Sequence, residues 1–182
     1  MGQHKQAFIM NNIILIGMMG SGKTSVGQAL SQATNLSFID TDTMIECRTN
    51  MTITHIFQQY GEAYFRYLEA EAAKQAATYS NRIIATGGGI ILNPQNMASL
   101  KASGFVVYLR CNPIQLYKRT ATDHNRPLLE TETEPLVKLE KLLSEREHLY
   151  TKYSDFIADA DEATIDELSR IILTRILCIK RG

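Results

Sequence analysis

Gly17-Met18-Met19-Gly20-Ser21-Gly22-Lys23-Thr24 decides how the rest of this chain is read. It follows an apolar run, Ile13-Ile14-Leu15-Ile16, and leads into Val26, Ala29, Leu30 and Ala33, which share one helical face. Strand, glycine-rich loop and helix, in that order, are the setting in which GxxxxGK followed by Ser or Thr binds phosphate. Glycines let backbone N–H groups wrap an anion without a Cβ in the way. The helix that follows directs its N-terminal N–H groups and the positive end of its dipole at the same place. In that setting Lys23 bridges the β- and γ-phosphates of a nucleotide and the Thr24 hydroxyl ligates Mg²⁺. The stretch predicts a nucleotide-phosphate site.

The bulk properties narrow the rest. The chain has 182 residues, 45% of them hydrophobic, enough for one globular domain (1–182) with a sizeable core. Lys plus Arg and Asp plus Glu both number 19, so nucleic-acid binding has no bulk electrostatic support, and Lys180-Arg181 is too short to supply it. No apolar run approaches a membrane span, the N-terminus lacks a signal-peptide core, and Gln6 stands where a myristoylation signal needs Ser or Thr. Cys47, Cys111 and Cys178 are odd in number and form no CxxC, which predicts reduced, partly buried thiols in a cytoplasmic protein.

Outward from the loop, strand and helix signals alternate to the end, which predicts an α/β fold with a mainly parallel sheet. Residues 1–11 read as a polar, frayed leader. Ser37-Phe38-Ile39 is a second strand ending at Asp40-Thr41-Asp42. Helical patterns follow, first with Ile53, Ile56, Phe57 and Tyr60 on one face, then from Tyr64 to Tyr79. Arg82 to Thr86 is a third strand running into Gly87-Gly88-Gly89, and Gly104 to Leu109 a fourth. Asn93-Pro94 and Asn112-Pro113 each open a helix as N-cap and first residue. A charged helix runs from about Pro135 to Tyr150, Phe156-Ile157-Ala158 is a short fifth strand, and Thr164 to Ile179 is an amphipathic closing helix. The polar, aperiodic segment of about 121–134 has the character of a functional lid.

In a doubly wound sheet ligands bind beyond the carboxyl ends of the strands, and three unusual sequences fall there. Asp40-Thr41-Asp42 follows strand two; if the segment is extended, both carboxylates point to one side, one to serve Mg²⁺ through its waters and one to meet a substrate hydroxyl. Either Asp is also a good cap for the next helix. Gly87-Gly88-Gly89 follows strand three and suits backbone that passes close to an anionic ligand. Elsewhere, Glu62, Arg66 and Glu69 share one helical stripe, which on residue types alone reads as a solvent-side ion-pair ladder. Arg126, in Arg126-Pro127-Leu128-Leu129, is placed on the lid to neutralise charge on a transferring phosphate. Arg146, in Glu145-Arg146-Glu147, is by composition one more charged helix residue.

Taken together, GMMGSGKTSVG, Asp40-Thr41-Asp42, Phe65-Arg66 with Glu69, Ala85-Thr86 with the glycine triplet, Arg126-Pro127-Leu128-Leu129 and the Arg146–Tyr150 pairing resemble the shikimate kinases, in order and interval, from about Asn12 to Leu177. The resemblance implies a three-layer α/β/α P-loop kinase fold of nucleoside-monophosphate-kinase type, with a five-stranded parallel sheet of order 2-3-1-4-5. It implies ATP-dependent phosphorylation of the 3-hydroxyl of shikimate, a step of aromatic amino-acid biosynthesis. Gly20, Ser21, Gly22, Lys23, Thr24 and Ser25 would bind the nucleotide, with Arg119 against adenine and Arg126 on the transferring phosphate. Thr24, and Asp40 in the outer shell, would serve Mg²⁺. Asp42 would position or deprotonate the attacking hydroxyl, while Arg66, Arg146 and the backbone of Gly87, Gly88 and Gly89 would hold the substrate. Two arginine forks match a carboxylate bidentately where lysine would not, and Glu69 would orient Arg66. The chain departs from some members after the last strand, where Ala158-Asp159-Ala160-Asp161-Glu162 replaces a basic residue and a proline; backbone groups would therefore finish the adenine pocket. A monomer is expected, with ATP and shikimate as partners, no nucleic acid and no membrane. The rival readings are another small-molecule P-loop kinase such as gluconate kinase or a nucleotide kinase, and a nucleotide-binding switch module without turnover.

Overall fold

The computed structural model describes residues 11–120 and 135–179. The leader up to residue 10, the lid of about 121–134 with Arg126, and residues 180–182 lie outside the described residues.

The sheet is built outward from β1 (Asn12–Ile16), whose five residues are all buried. A strand covered on both faces reads as a continuous apolar run, as this one does. It pairs in parallel with β3 (Arg82–Ala85), Ile13 opposite Ile83, and with β4 (Gly104–Arg110), Ile13 opposite Phe105. The edge strands are β2 (Ser37–Asp40), parallel to β3, and β5 (Phe156–Asp159), parallel to β4. The order β2-β3-β1-β4-β5 is the one predicted.

Alternation along β1 assigns the two cores. Ile13 and Leu15 face one side, with Val26 and Leu30 from α1 (Lys23–Thr34) and Leu168, Ile172 and Ile176 from α7 (Ile165–Ile179). Ile14 and Ile16 face the other, with Ala73 and Ala76 from α3 (Ile53–Ala77) and Met97 and Leu100 from α4 (Pro94–Ser103). Fully burying each such Ile or Leu stabilises the fold by about 1.5–3 kcal/mol. A third cluster joins Ile45 of α2 (Thr41–Thr49) to Ile56, Phe65, Leu68 and Ala72 of α3, so the α2–α3 pair forms its own shoulder. Between α5 (Pro113–Thr120) and β5 runs α6 (Pro135–Tyr153), which puts Leu139 and Leu143 in the first core and Tyr150 in the second.

Local signals explain the ends. Asn93 caps α4 through the Gln95 N–H, with Pro94 at its first position, and the Asn112 side chain accepts from the Gln115 N–H at 2.9 Å. Asn35 and Asn50 end α1 and α2 with φ of 60° and 55°, the left-handed conformation that Asn tolerates best after Gly.

The two helical patterns between Ile53 and Tyr79 hold as two helical stretches of α3 that meet at a break at Gly61, where φ is 77° and ψ 174°. Other expectations are corrected. Tyr60 does not share the buried face of Ile56: it is 46% exposed. Ala33 is exposed because the buried face of α1 runs through Lys23, Val26, Gly27 and Leu30. Of the thiols, Cys111 is buried whereas Cys47 and Cys178 are exposed, on the outer faces of α2 and α7. Asp40-Thr41-Asp42 is not an extended triplet: α2 starts at Thr41, directly after β2.

Candidate active site

The carboxyl ends of β1, β2 and β3 open onto a cavity of about 420 Å³. Its floor is the loop after β1. Gly22, at φ 91°, turns the chain into α1 in a conformation that side chains rarely adopt. No side chain caps that helix and its first turn has no acid, so its N–H groups and dipole are left for an external anion. The Lys23 ammonium is folded onto the loop, donating to the carbonyls of Gly17 and Met18 at 2.8 Å each. At 9% exposure Lys23 is enclosed by the loop. Gly20, Gly22, Lys23, Thr24 and Ser25 line the cavity. Ser21 does not: it lies buried beneath the loop, with its N–H donating to the Met18 carbonyl at 3.1 Å.

Asp40 does two jobs with two oxygens. Oδ2 accepts from the Thr24 hydroxyl at 3.0 Å, and Oδ1 accepts from the Asp42 N–H at 2.9 Å as the N-cap of α2. The capping reading holds for Asp40, and its second oxygen is engaged by Thr24. Asp42, in the first turn of α2, projects into the cavity with its Oδ1 buried and unpartnered among the described residues. Burial pushes its carboxyl up from 3.8 to about 7, with Asp40 and Glu69 adding to the shift and Lys23 opposing it.

The opposite wall carries the arginines. Arg66 Nη1 donates to Glu69 Oε2 at 2.8 Å, while Nε and Nη2 donate to Glu62 Oε1 at 3.1 and 2.8 Å. A solvent-side ladder does not describe this stripe, because Glu69 is 1% exposed. Burial raises the Glu69 carboxyl, and the guanidinium groups of Arg66 and then Arg146 pull it back. Arg146, itself buried, reaches the cavity from α6. Glu69 therefore lies between two cations and fixes the fork of Arg66.

The glycine triplet is demanded by space rather than by φ. A Cβ on Gly87 would come within 2.7 Å of Asp42 Oδ1 and 3.1 Å of Glu69 Oε1. The Gly87 N–H is engaged internally, donating to the buried Thr41 hydroxyl at 3.1 Å, so of the predicted backbone donors this one is already used. Gly88 and Gly89 line the cavity beside it, Gly89 packed against the Arg66 guanidinium.

Arg119, on α5, donates to the carbonyls of Ala160 and Asp161 at 2.7 and 3.4 Å and lines the same cavity. The loop after β5 thus engages Arg119 with main-chain carbonyls. Motif reading gave no role to Ile53, Phe57 and Phe65, the apolar part of the wall. Phe57 and Phe65 lie 4.7 Å apart between ring centroids. Their helical spacing marks a buried face but cannot say that the face borders a ligand. Every predicted site residue that is described, Ser21 excepted, converges on this one cavity.

A family model described as shikimate kinase matches residues 19–177. A shikimate kinase of Thermoanaerobacter pseudethanolicus is 40% identical over 173 residues, which span 95% of this chain and 100% of that protein. A solved shikimate kinase from Acinetobacter baumannii, in complex with shikimate, superimposes with a TM-score of 0.93 at 36% identity, covering 97% of this chain and 99% of that one. The deoxyadenosine kinase of M.mycoides with bound dATP, at TM-score 0.61 and 15% identity over 91% of this chain and 99% of its own, shares the fold alone. Because the match runs from the phosphate loop into the last helix and takes in the relatives over nearly their whole length, the chain belongs to the shikimate kinase family.

Proposed function

We propose that this chain transfers the γ-phosphoryl group of ATP to the 3-hydroxyl of shikimate, giving shikimate 3-phosphate and ADP. The observation that carries the reading is the placement of Asp42, a buried carboxylate between the phosphate loop and a wall of two arginines. Lys23 and the N–H groups at the start of α1 hold the β- and γ-phosphates, and Arg119 lies along the base. Arg66 and Arg146 clamp the substrate carboxylate, with Gly88 and Gly89 on the same ligand. That fixes the ring so that a hydroxyl meets Asp42, which accepts its proton as the oxygen attacks the γ-phosphorus and the bond to the ADP oxygen breaks. Arg126, outside the described residues, is assigned to the transferring phosphate by its motif alone.

Among the described residues no group of three or more His, Cys, Asp or Glu is gathered to hold a metal. The Thr24 hydroxyl and the Asp40 carboxylate, 3.0 Å apart on the cavity wall, still fit Mg²⁺. That ion takes hard oxygen ligands and keeps phosphate and water in most positions. When bound it supplies charge neutralisation between the β- and γ-phosphates. We propose further that the chain works as one domain and as a cytoplasmic monomer. The even charge argues against nucleic acid as a partner. No helix among the described residues is long and apolar enough to cross a membrane.

ADP release coupled to a reporter enzyme, with shikimate, gluconate and nucleoside monophosphates as acceptors, tests the reading. Turnover confined to shikimate is expected; turnover of gluconate or a nucleotide in its place would overturn it. In the same assay Arg66→Lys and Arg146→Lys keep the charge but lose the fork. Each should weaken shikimate binding by roughly 1.5–3 kcal/mol while ATP affinity stays put.

A further inference from the structure

Arg146 does not stand alone on α6. One turn further on, Tyr150 has no exposed surface at all, yet it carries a polar atom. Its hydroxyl donates to the Gly88 carbonyl at 2.6 Å and touches Met18 Sδ at 3.9 Å. Arg146, one turn earlier on α6, brings its positive charge close to this phenol. A phenol has one proton to donate and lone pairs to accept with, so this hydroxyl can join an acceptor on the glycine loop to a donor on α6. Its ring is held by Tyr108, stacked 4.9 Å away and 15° from parallel. The loop it grips is tightly placed, since a Cβ on Gly88 would come within 3.2 Å of Met19 N.

We infer that Tyr150 is a positioning residue for carboxylate recognition: its hydroxyl locks the Gly87–Gly89 loop and Arg146 into one frame, so that both address the same acidic group. The inference rests on the proposed role of Arg146 as a carboxylate clamp. Tyr150 meets the phosphate loop only at the Met18 sulfur and makes no hydrogen bond to Asp42 among the described residues, so its loss should act on acceptor binding before chemistry.

Tyr150 and Tyr108 supply their own control. Both are buried in the same stacked pair, but the Tyr108 hydroxyl has no hydrogen-bond partner among the described residues. Phe in either place removes a phenol oxygen from the same stacked ring pair, and only at Tyr150 does it break a hydrogen bond. The experiment compares Tyr150→Phe and Tyr108→Phe with the parent chain, using shikimate and its methyl ester as acceptors and calorimetry for ADP. For Tyr150→Phe, the shikimate Kd and KM should rise about tenfold or more, the scale of a buried carbonyl left without its donor. Its kcat and ADP affinity should stay within about twofold of the parent, and kcat/KM for the ester, which lacks the anionic group, should change little. Tyr108→Phe should match the parent throughout. Equal losses with shikimate and the ester, or a matching loss of ADP affinity, would reduce Tyr150 to a packing residue. A Tyr150→Phe chain indistinguishable from the parent would overturn the inference and leave the proposed function intact. A parent that does not bind shikimate would overturn both.

Discussion

Asp42 holds its proton to an unusually high pH for a carboxyl group, and that has two measurable sides. Its folded value, about 7, lies above the ordinary 3.8. Between those two pH values the folded chain keeps a proton that the unfolded chain has released, so stability falls as pH rises through the window, and the loss is complete above it. Asp42→Asn has no proton to lose. Its melting temperature relative to the parent should climb from pH 4 to pH 8. Activity runs the other way, because a general base must be ionised: parent kcat/KM for shikimate should rise to a plateau just above neutrality, and Asp42→Asn should show a sharply lower kcat without that limb. Retained kcat with only a raised KM would make Asp42 a binding residue and no more. Asp42 was legible in the sequence because of the phosphate loop it accompanies. Glu69 was legible only through the family resemblance: by itself a charged stripe at helical spacing looks alike whether solvent or protein covers it. The covering groups, Arg146 and Gly87, come from distant parts of the chain.

Among the elements, α3 keeps the division into two helical stretches that its sequence predicts. The sequence presents two helical patterns, and the structure joins them through Gly61 at φ 77° and ψ 174°, a region essentially reserved for glycine. A Cβ there would meet nothing within 4 Å, so the obstacle to a side chain is conformational alone. Gly61→Ala should cost about 1–3 kcal/mol in chemical denaturation. Asn, which tolerates the left-handed helical region but not this one, should give no rescue. A neutral Gly61→Ala would mean that the break can straighten, carrying Arg66 and Phe65 with it. The helix starts at Asn93-Pro94 and Asn112-Pro113 were legible because capping is local chemistry. The start of α2 was open because either aspartate could cap it, and it is Asp40 that does, through one oxygen, while the other accepts from Thr24.

Over the whole molecule, strand order followed from the ordered motifs, and the cavity lies where parallel strands end. What no periodicity could reveal is that α6 divides its apolar face between the two cores and so sets Arg146 over the site. The distribution of sulfur has a use that has nothing to do with phosphate. Cys47 and Cys178 are exposed and Cys111 is buried, its thiol pushed up to about 11 by that burial. The Cys111 Sγ lies 3.6 Å from Arg119 Nη1, where β4 hands over to α5. A disulfide reagent should therefore label two thiols within its mixing time and the third only when this corner of the native protein opens. All three should react at once in guanidinium, and a single-phase reaction of all three in buffer would contradict the burial. The slow phase is then a stopwatch for one junction of the fold, read by absorbance in unmodified protein. ATP, by pinning Arg119, should make it run slower.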